Sequence, residues 1–261
     1  MGTRRHRHFN PAFAGAQTVF DAKKITGLSN SGSISTWSGS VGTAYSASTW
    51  VGGGFTAPIY CNSDNGINGN PAIAFNGSNQ TITTNAVAQF RNKTSGDIFC
   101  VIVDTNSTGG DTGHFPVAWL CGGGSGFVRA SIASRRSSIA GIVGVSSRLD
   151  ATGANSSTGV VGTPSNPTIA QSTFDWANNK MVAYANGVSG TSGSWTEGSG
   201  STSNTDSALS LIGTASSPAT PTANRFTGKL SIIIAASPSF SAPVSKRISH
   251  GLAFTYRIFT K

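Results

Sequence analysis

Gly66-Ile67-Asn68-Gly69-Asn70-Pro71-Ala72-Ile73-Ala74-Phe75-Asn76-Gly77 places an Asn-Gly step on each side of a short apolar run. Asn-Gly accepts the left-handed backbone that a tight hairpin turn needs, and Ala72, Ile73 and Phe75 between the two steps supply a buried β segment. The stretch predicts turn, strand and turn. The rest of the chain extends that pattern in both directions.

Downstream, Asp97 to Asp104 reads Asp-Ile-Phe-Cys-Val-Ile-Val-Asp, a continuous apolar run bounded by carboxylates. Its β-branched content and its length predict a central strand buried on both faces. Val117 to Cys121, Phe127 to Ile132, Ile139 to Val145 and Thr168 to Phe174 continue as strands. Lys180 to Tyr184 is followed by Asn186-Gly187 and Val188, a strong hairpin signal. Leu209 to Ile212 and Phe226 to Ala236 return to strand. Upstream, Thr18 to Asp21, Ile34 to Trp37 and Ile59-Tyr60 are short strands in Ser/Gly/Asn-rich surroundings. Gly190 to Asn204, mostly Ser, Gly and Thr around Trp195 and Glu197, reads as an exposed loop. The period changes only near the end: Ser241 is placed to cap a helix, Pro243 suits its first turn, and Val244, Ile248 and Leu252 share one face.

With 261 residues the chain is long enough to bury a full core as one domain. Only 10% of its residues are charged, well below the roughly 25% usual in soluble proteins. The 18 Lys and Arg against 9 Asp and Glu give a net charge of +9 and a general attraction to polyanions. Arg4, Arg5 and Arg7 concentrate positive charge at the N-terminus, so residues 1–17 are expected to form a basic arm ahead of a single sandwich domain at 18–261. Cys61, Cys100 and Cys121 are odd in number and lack Cys-x-x-Cys spacing, which argues for buried free thiols over a disulfide framework or zinc site. The apolar runs are too short to span a bilayer and no signal-peptide core follows the arginines, so a chain made in the host cytoplasm, without a membrane partner, is expected.

In order along the chain, Phe20-Asp21-Ala22, Ile34 to Trp37, Pro58-Ile59-Tyr60, the Gly66 to Gly77 stretch, Ala185-Asn186-Gly187-Val188, Ile212-Gly213, Phe226 to Leu230 leading into Ile232 to Ile234, and Lys246 to Tyr256 form a recognisable series. Taken together they resemble the concanavalin A-like lectin/glucanase superfamily, in particular laminin-G or pentraxin-like jelly-roll modules found in phage virion proteins. The resemblance implies an all-β fold: two antiparallel sheets in a jelly-roll sandwich with one short C-terminal helix.

The chemistry narrows what such a sandwich does. A retaining glycosidase needs two carboxyl groups about 5 Å apart. Glu197 is the chain's one glutamate, and Asp97 and Asp104 lie roughly 23 Å apart along a strand. Gly122-Gly123-Gly124-Ser125-Gly126 has the letters of a serine elbow, but strand follows it where a helix is required. No catalytic residue, metal ligand or cofactor is therefore assigned. Asp104-Thr105-Asn106 with Asp111, and Asp64-Asn65 with Asn68, were weighed as calcium ligands and read as turns. A sugar site needs aromatic faces beside amides and hydroxyls. Trp176, Asn178, Asn179 and Trp195 are the assigned candidates, with Trp50 considered beside them and Trp37 and Trp119 placed in the core.

The leading expectation is a non-enzymatic virion structural protein, a capsid decoration or surface accessory protein of a tailed phage. It would be located in the virion, gripping the major capsid protein or another virion protein through Arg4, Arg5 and Arg7, and homo-oligomers are common among such proteins. The alternative expectation is a carbohydrate- or host-receptor-binding module, with surface glycans as partners.

Overall fold

The computed structural model describes residues 16–39, 46–49, 56–84, 88–105, 113–121, 128–136, 139–149, 155–156, 160–161, 165–204, 209–214 and 225–259. In chain order its strands are β1 (Thr18–Asp21), β2 (Thr36–Ser38), β3 (Ser46–Thr49), β4 (Ile59–Cys61), β5 (Ala72–Asn76), β6 (Ile82–Thr84), β7 (Ser95–Asp104), β8 (Val117–Cys121) and β9 (Val128–Arg136). They continue as β10 (Ile139–Ser146), β11 (Asn155–Ser156), β12 (Val160–Val161), β13 (Thr168–Asp175), β14 (Lys180–Ala185), β15 (Val188–Ser189), β16 (Leu209–Ile212) and β17 (Thr227–Ala236), and one helix, α1 (Ala242–Tyr256), follows.

Two antiparallel sheets form the expected β-sandwich. The first runs β15-β14-β13-β7-β17-β5-β4, with β1 also paired to β17; the second runs β11-β10-β9-β8-β16-β6-β3-β2, with β12 on β10. The carboxylate-bounded apolar run is β7, at the middle of the first sheet between β13 and β17. Its side chains alternate between two cores. Ile98, Cys100 and Ile102 face the second sheet, in a cluster with Trp37, Ile132, Phe174 and Trp176. Phe99 and Val101 face outward, where Ile248, Leu252 and Tyr256 of α1 cover them together with Ile169 and Ile234. Sheet, sheet and helix thus make three layers, and both faces of β7 are dry, as a continuous apolar strand requires.

The turn chemistry is that expected from the sequence. Asn186 and Gly187 have φ of 51° and 83° between β14 and β15, the two left-handed residues of a type I′ turn. Asn68 and Gly69, at 48° and 78°, turn the chain so that Ile67 and Asn70 exchange both backbone hydrogen bonds, at 2.8 and 3.0 Å. Gly66 cannot be replaced within this turn, because a Cβ there would overlap the Asn70 carbonyl.

The turn also closes the helix. Asn68 Nδ2 donates to the Tyr256 carbonyl at 2.8 Å and Asn70 Nδ2 to the Thr255 carbonyl at 3.1 Å, satisfying acceptors that the last turn of a helix leaves unpaired. At the other end Ser241 is the N-cap residue and Pro243 lies in the first turn, as expected, although the Ser241 side chain makes no capping bond. Asn70→Ala is expected to cost about 1–2 kcal/mol, since its buried amide also serves the Ile67 and Asn68 carbonyls. Hydrogen exchange of the amides from Thr255 to Ile258 checks this, and unchanged protection there would show that the amide does not hold the helix end.

Candidate functional site

The four residues assigned from sequence to a sugar site do come together, but they form a structural knot. Trp176 is 0% exposed and Trp195 2%. The Trp176 ring stacks on Phe174 with centroids 5.5 Å apart, and its Nε1 donates to Ser146 Oγ at 3.0 Å. Trp195 Nε1 donates to the Ser146 carbonyl, also at 3.0 Å. Asn179 Oδ1 accepts from the Trp195 backbone N–H at 2.6 Å, and Asn178 bonds Asp175 across the β13–β14 turn. With both indoles in the core, neither offers a face to a sugar, so that assignment is corrected. The loop carrying Trp195 had no apolar run to announce burial; a single Trp surrounded by Ser and Gly packs inward because nothing else in the loop can fill the space.

Glu197 belongs to the same loop, and the loop is tethered by it. Its carboxylate accepts from Ser147 Oγ, from the Arg148 backbone N–H and from the Leu149 backbone N–H. Among the described residues none of these partners is a second carboxyl group. Asp104, His114 and Ser134 do converge, at first glance as a catalytic triad. His114 Nδ1 lies 3.2 Å and Ser134 Oγ 2.6 Å from the same oxygen, Asp104 Oδ2. Ser134 therefore gives its proton to the aspartate, and all three residues are buried. Asn65 Nδ2 donates to Asn62 Oδ1 and Asn68 Nδ2 to the Tyr256 carbonyl, one a turn bond and the other a helix-end bond. Cys61 and Cys100 are free and buried, and burial pushes both thiols up. Arg4, Arg5, Arg7, Trp50, Asn106, Asp111, Gly122 to Gly126 and the side chains of Trp119 and Cys121 lie outside the described residues.

A different place has the makings of a site. Because seven residues separate Asp97 from Asp104, the alternation of β7 sends them to opposite faces, and Asp97 shares the outer face with Phe99. The register pairs Asp97 with Thr173 and Phe99 with Gln171, then Gln171 with Tyr184. Asp97, Thr173, Gln171 and Tyr184 thereby cover the outer face of β7, β13 and β14, just beyond the edge of α1. The helix adds Ala242, Ser245, Lys246, Ser249 and His250, positions three and four apart that share a face adjoining the apolar one. Together with Gly187 and Phe240 these residues line a cavity of about 440 Å3, within the size range of small-ligand sites.

Asp97 is at its floor, 1% exposed. Its Oδ1 accepts from Thr173 Oγ1 at 2.5 Å and its Oδ2 from the Phe240 backbone N–H at 2.7 Å. Burial pushes its carboxyl up to about 6, and the bonds from Thr173 and the Phe240 N–H, with the Gln171 side chain, offset part of that rise. Gln171 Nε2 donates to Thr173 Oγ1 at 3.1 Å and to Ser245 Oγ at 2.9 Å, fixing the helix to the sheet across the cavity. Tyr184 is half-buried, its phenol raised by burial first and by the nearby Asp97 second. Sequence reading missed this site. Asp97 stood out only as the end of an apolar run, and the residues that complete the cavity come from segments more than seventy positions away, joined by strand register alone.

No protein-family model and no curated protein matches this sequence. Solved structures do. A botulinum neurotoxin serotype D binding domain is similar with a TM-score of 0.56 at 12% identity, over 92% of this chain and 51% of that one. The serotype D/C VPI 5993 binding domain gives 0.56 at 11% identity, over 94% and 54%. A botulinum neurotoxin type C structure, described with cell entry dependent on interaction with two ganglioside molecules, gives 0.54 at 10% identity, over 92% and 52%. This chain spans about half the length of each, and what it shares with them at such identity is the fold of a β-sandwich.

Proposed function

We propose that the chain is a non-enzymatic carbohydrate- or receptor-binding module of the concanavalin A-like kind, and that the cavity between β13, β14 and α1 is its binding site. The observation that carries the reading is the lining of that cavity: two aromatic residues, Tyr184 and Phe240, together with carboxylate, amide and hydroxyl groups. Sugars present apolar C–H faces and polar hydroxyl edges on one molecule, and such a lining meets both. The fold-level similarity to binding domains supports a recognition role over a catalytic one, as an analogy of scaffold. The capsid-decoration reading draws its weight from the resemblance to phage virion modules, the missing signal-peptide core and the basic arm, and nothing in the described residues favours it over ligand binding.

A glycan array with the purified protein tests the proposal, followed by titration of any hit against Tyr184→Ala and Gln171→Ala. Each substitution is expected to weaken binding by about tenfold or more, as loss of an anchoring ring or of a buried hydrogen bond does, with the circular dichroism spectrum unchanged. Hits that bind both variants as well as the parent would remove the cavity from the account. A blank array would remove the glycan reading.

A further inference from the structure

We infer that the Asp97 cavity selects ligands carrying an ammonium group, which among glycans means sugars with a free amine. The inference rests on the cavity being the binding site proposed above, and adds what that site discriminates.

The argument is a count of donors and acceptors at the floor. Thr173 spends its hydroxyl proton on Asp97, and its oxygen accepts from Gln171. The Gln171 side-chain bonds run from its Nε2, to Thr173 Oγ1 and to Ser245 Oγ, so among the described residues its carbonyl oxygen is the end left to accept. Asp97 is acceptor-only when ionised, with about four lone-pair sites; Thr173 Oγ1 and the Phe240 N–H use two and the Gln171 side chain lies close enough to favour the charged form, so part of its acceptor capacity stays open. The floor therefore turns its donors onto itself and keeps acceptors for whatever enters. An incoming group that brings several donors is favoured, and an ammonium brings three.

Charge leads the same way. Among the described residues the ion pair present joins His114 to Asp104, on the opposite face of the sheet, and no Lys, Arg or His is within ion-pair distance of Asp97. A carboxylate held in the interior without a cation is expensive, and two hydrogen bonds relieve only part of that cost. A ligand ammonium supplies the missing counter-charge, and the Tyr184 and Phe240 rings beside it suit a cation as well as a sugar face. Lys246 and His250 are exposed on the helix side of the same cavity, so water and salt screen their repulsion of an ammonium seated at the buried floor.

The test is a titration of the 15N-labelled protein near neutral pH with D-glucosamine, N-acetyl-D-glucosamine and D-glucose, read as shifts of the amide signals of Asp97, Gln171, Thr173 and Phe240. D-Glucosamine is expected to bind about tenfold tighter than either neutral sugar, the worth of replacing a neutral hydrogen bond by a charged one. Asp97→Asn should erase that preference, bringing the ratio of D-glucosamine to D-glucose affinity to about one whatever the absolute affinities become. Should the Asn variant fold poorly, the contrast among the three sugars on the parent protein decides alone. Equal binding of all three, or a preference that survives Asp97→Asn in a folded variant, overturns the amine inference and leaves the sugar-binding reading standing. Shifts with none of the three, together with a blank glycan array, overturn both.

Discussion

Trp176→Ala should lower the unfolding free energy by about 3–5 kcal/mol, the range for emptying a large aromatic site in a packed core. The indole is wholly buried, stacked on Phe174, edge-on to Phe90 at 6.0 Å and 6.4 Å from Trp195. Its removal also leaves Ser146 Oγ without the N–H it receives from the ring. Trp195→Ala should be costly for the same reasons, and because the two rings touch and bond to the two ends of Ser146, the double variant should depart from additivity. Urea titrations of the two single variants and the double variant measure all three quantities. The result bears on function as well as stability: a Trp variant that lost ligand binding would be reporting a damaged core. Full stability with binding alone lost would instead put the indoles back in a site, against their burial.

The Trp residues show where sequence ran out. An aromatic between Ser and Gly residues gives no period from which to read which way it faces, and burial of Trp176 and Trp195 is decided by β10, whose Ser146 accepts from both. Turns were legible because their chemistry is local: Asn68-Gly69 and Asn186-Gly187 need no distant partner to require a left-handed backbone. The central strand and the terminal helix were legible because a continuous apolar run and a capped 3.6-residue period each have one dominant solution. Ser46–Thr49 and Ile82–Thr84 escaped notice, being short and rich in small polar residues, and they are strands because β2 and β16 offer them hydrogen-bonding edges. The cavity depended most on the missing information. In the sequence Asp97 has Asp104 as its visible counterpart along the strand, whereas its neighbours in the fold lie across the sheet and on the helix.

Asp97 also makes the folded state sensitive to acid in an unusual direction. Its carboxyl titrates at about 6 in the fold against 3.8 in the ordinary case, so between those values the folded chain holds a proton that the unfolded chain has lost. Stability then falls as pH rises: the contribution is fully present below about 4 and is gone once the pH has passed through about 6, and roughly two pKa units correspond to about 3 kcal/mol. Most carboxylates in ion pairs act with the opposite sign. Tyr184 on β14 and Lys246 and His250 on α1 line the same cavity, so the measurement must isolate Asp97 from them. The unfolding free energy of the parent minus that of Asp97→Asn does so, because the other groups are common to both proteins. That difference should decline by about 2–3 kcal/mol from pH 4 to pH 7.5, and parallel curves would mean that Asp97 is solvated or paired after all. A ligand that brings a cation to the floor should flatten the trend, since it binds the ionised carboxyl and draws the folded-state value back toward that of the unfolded chain.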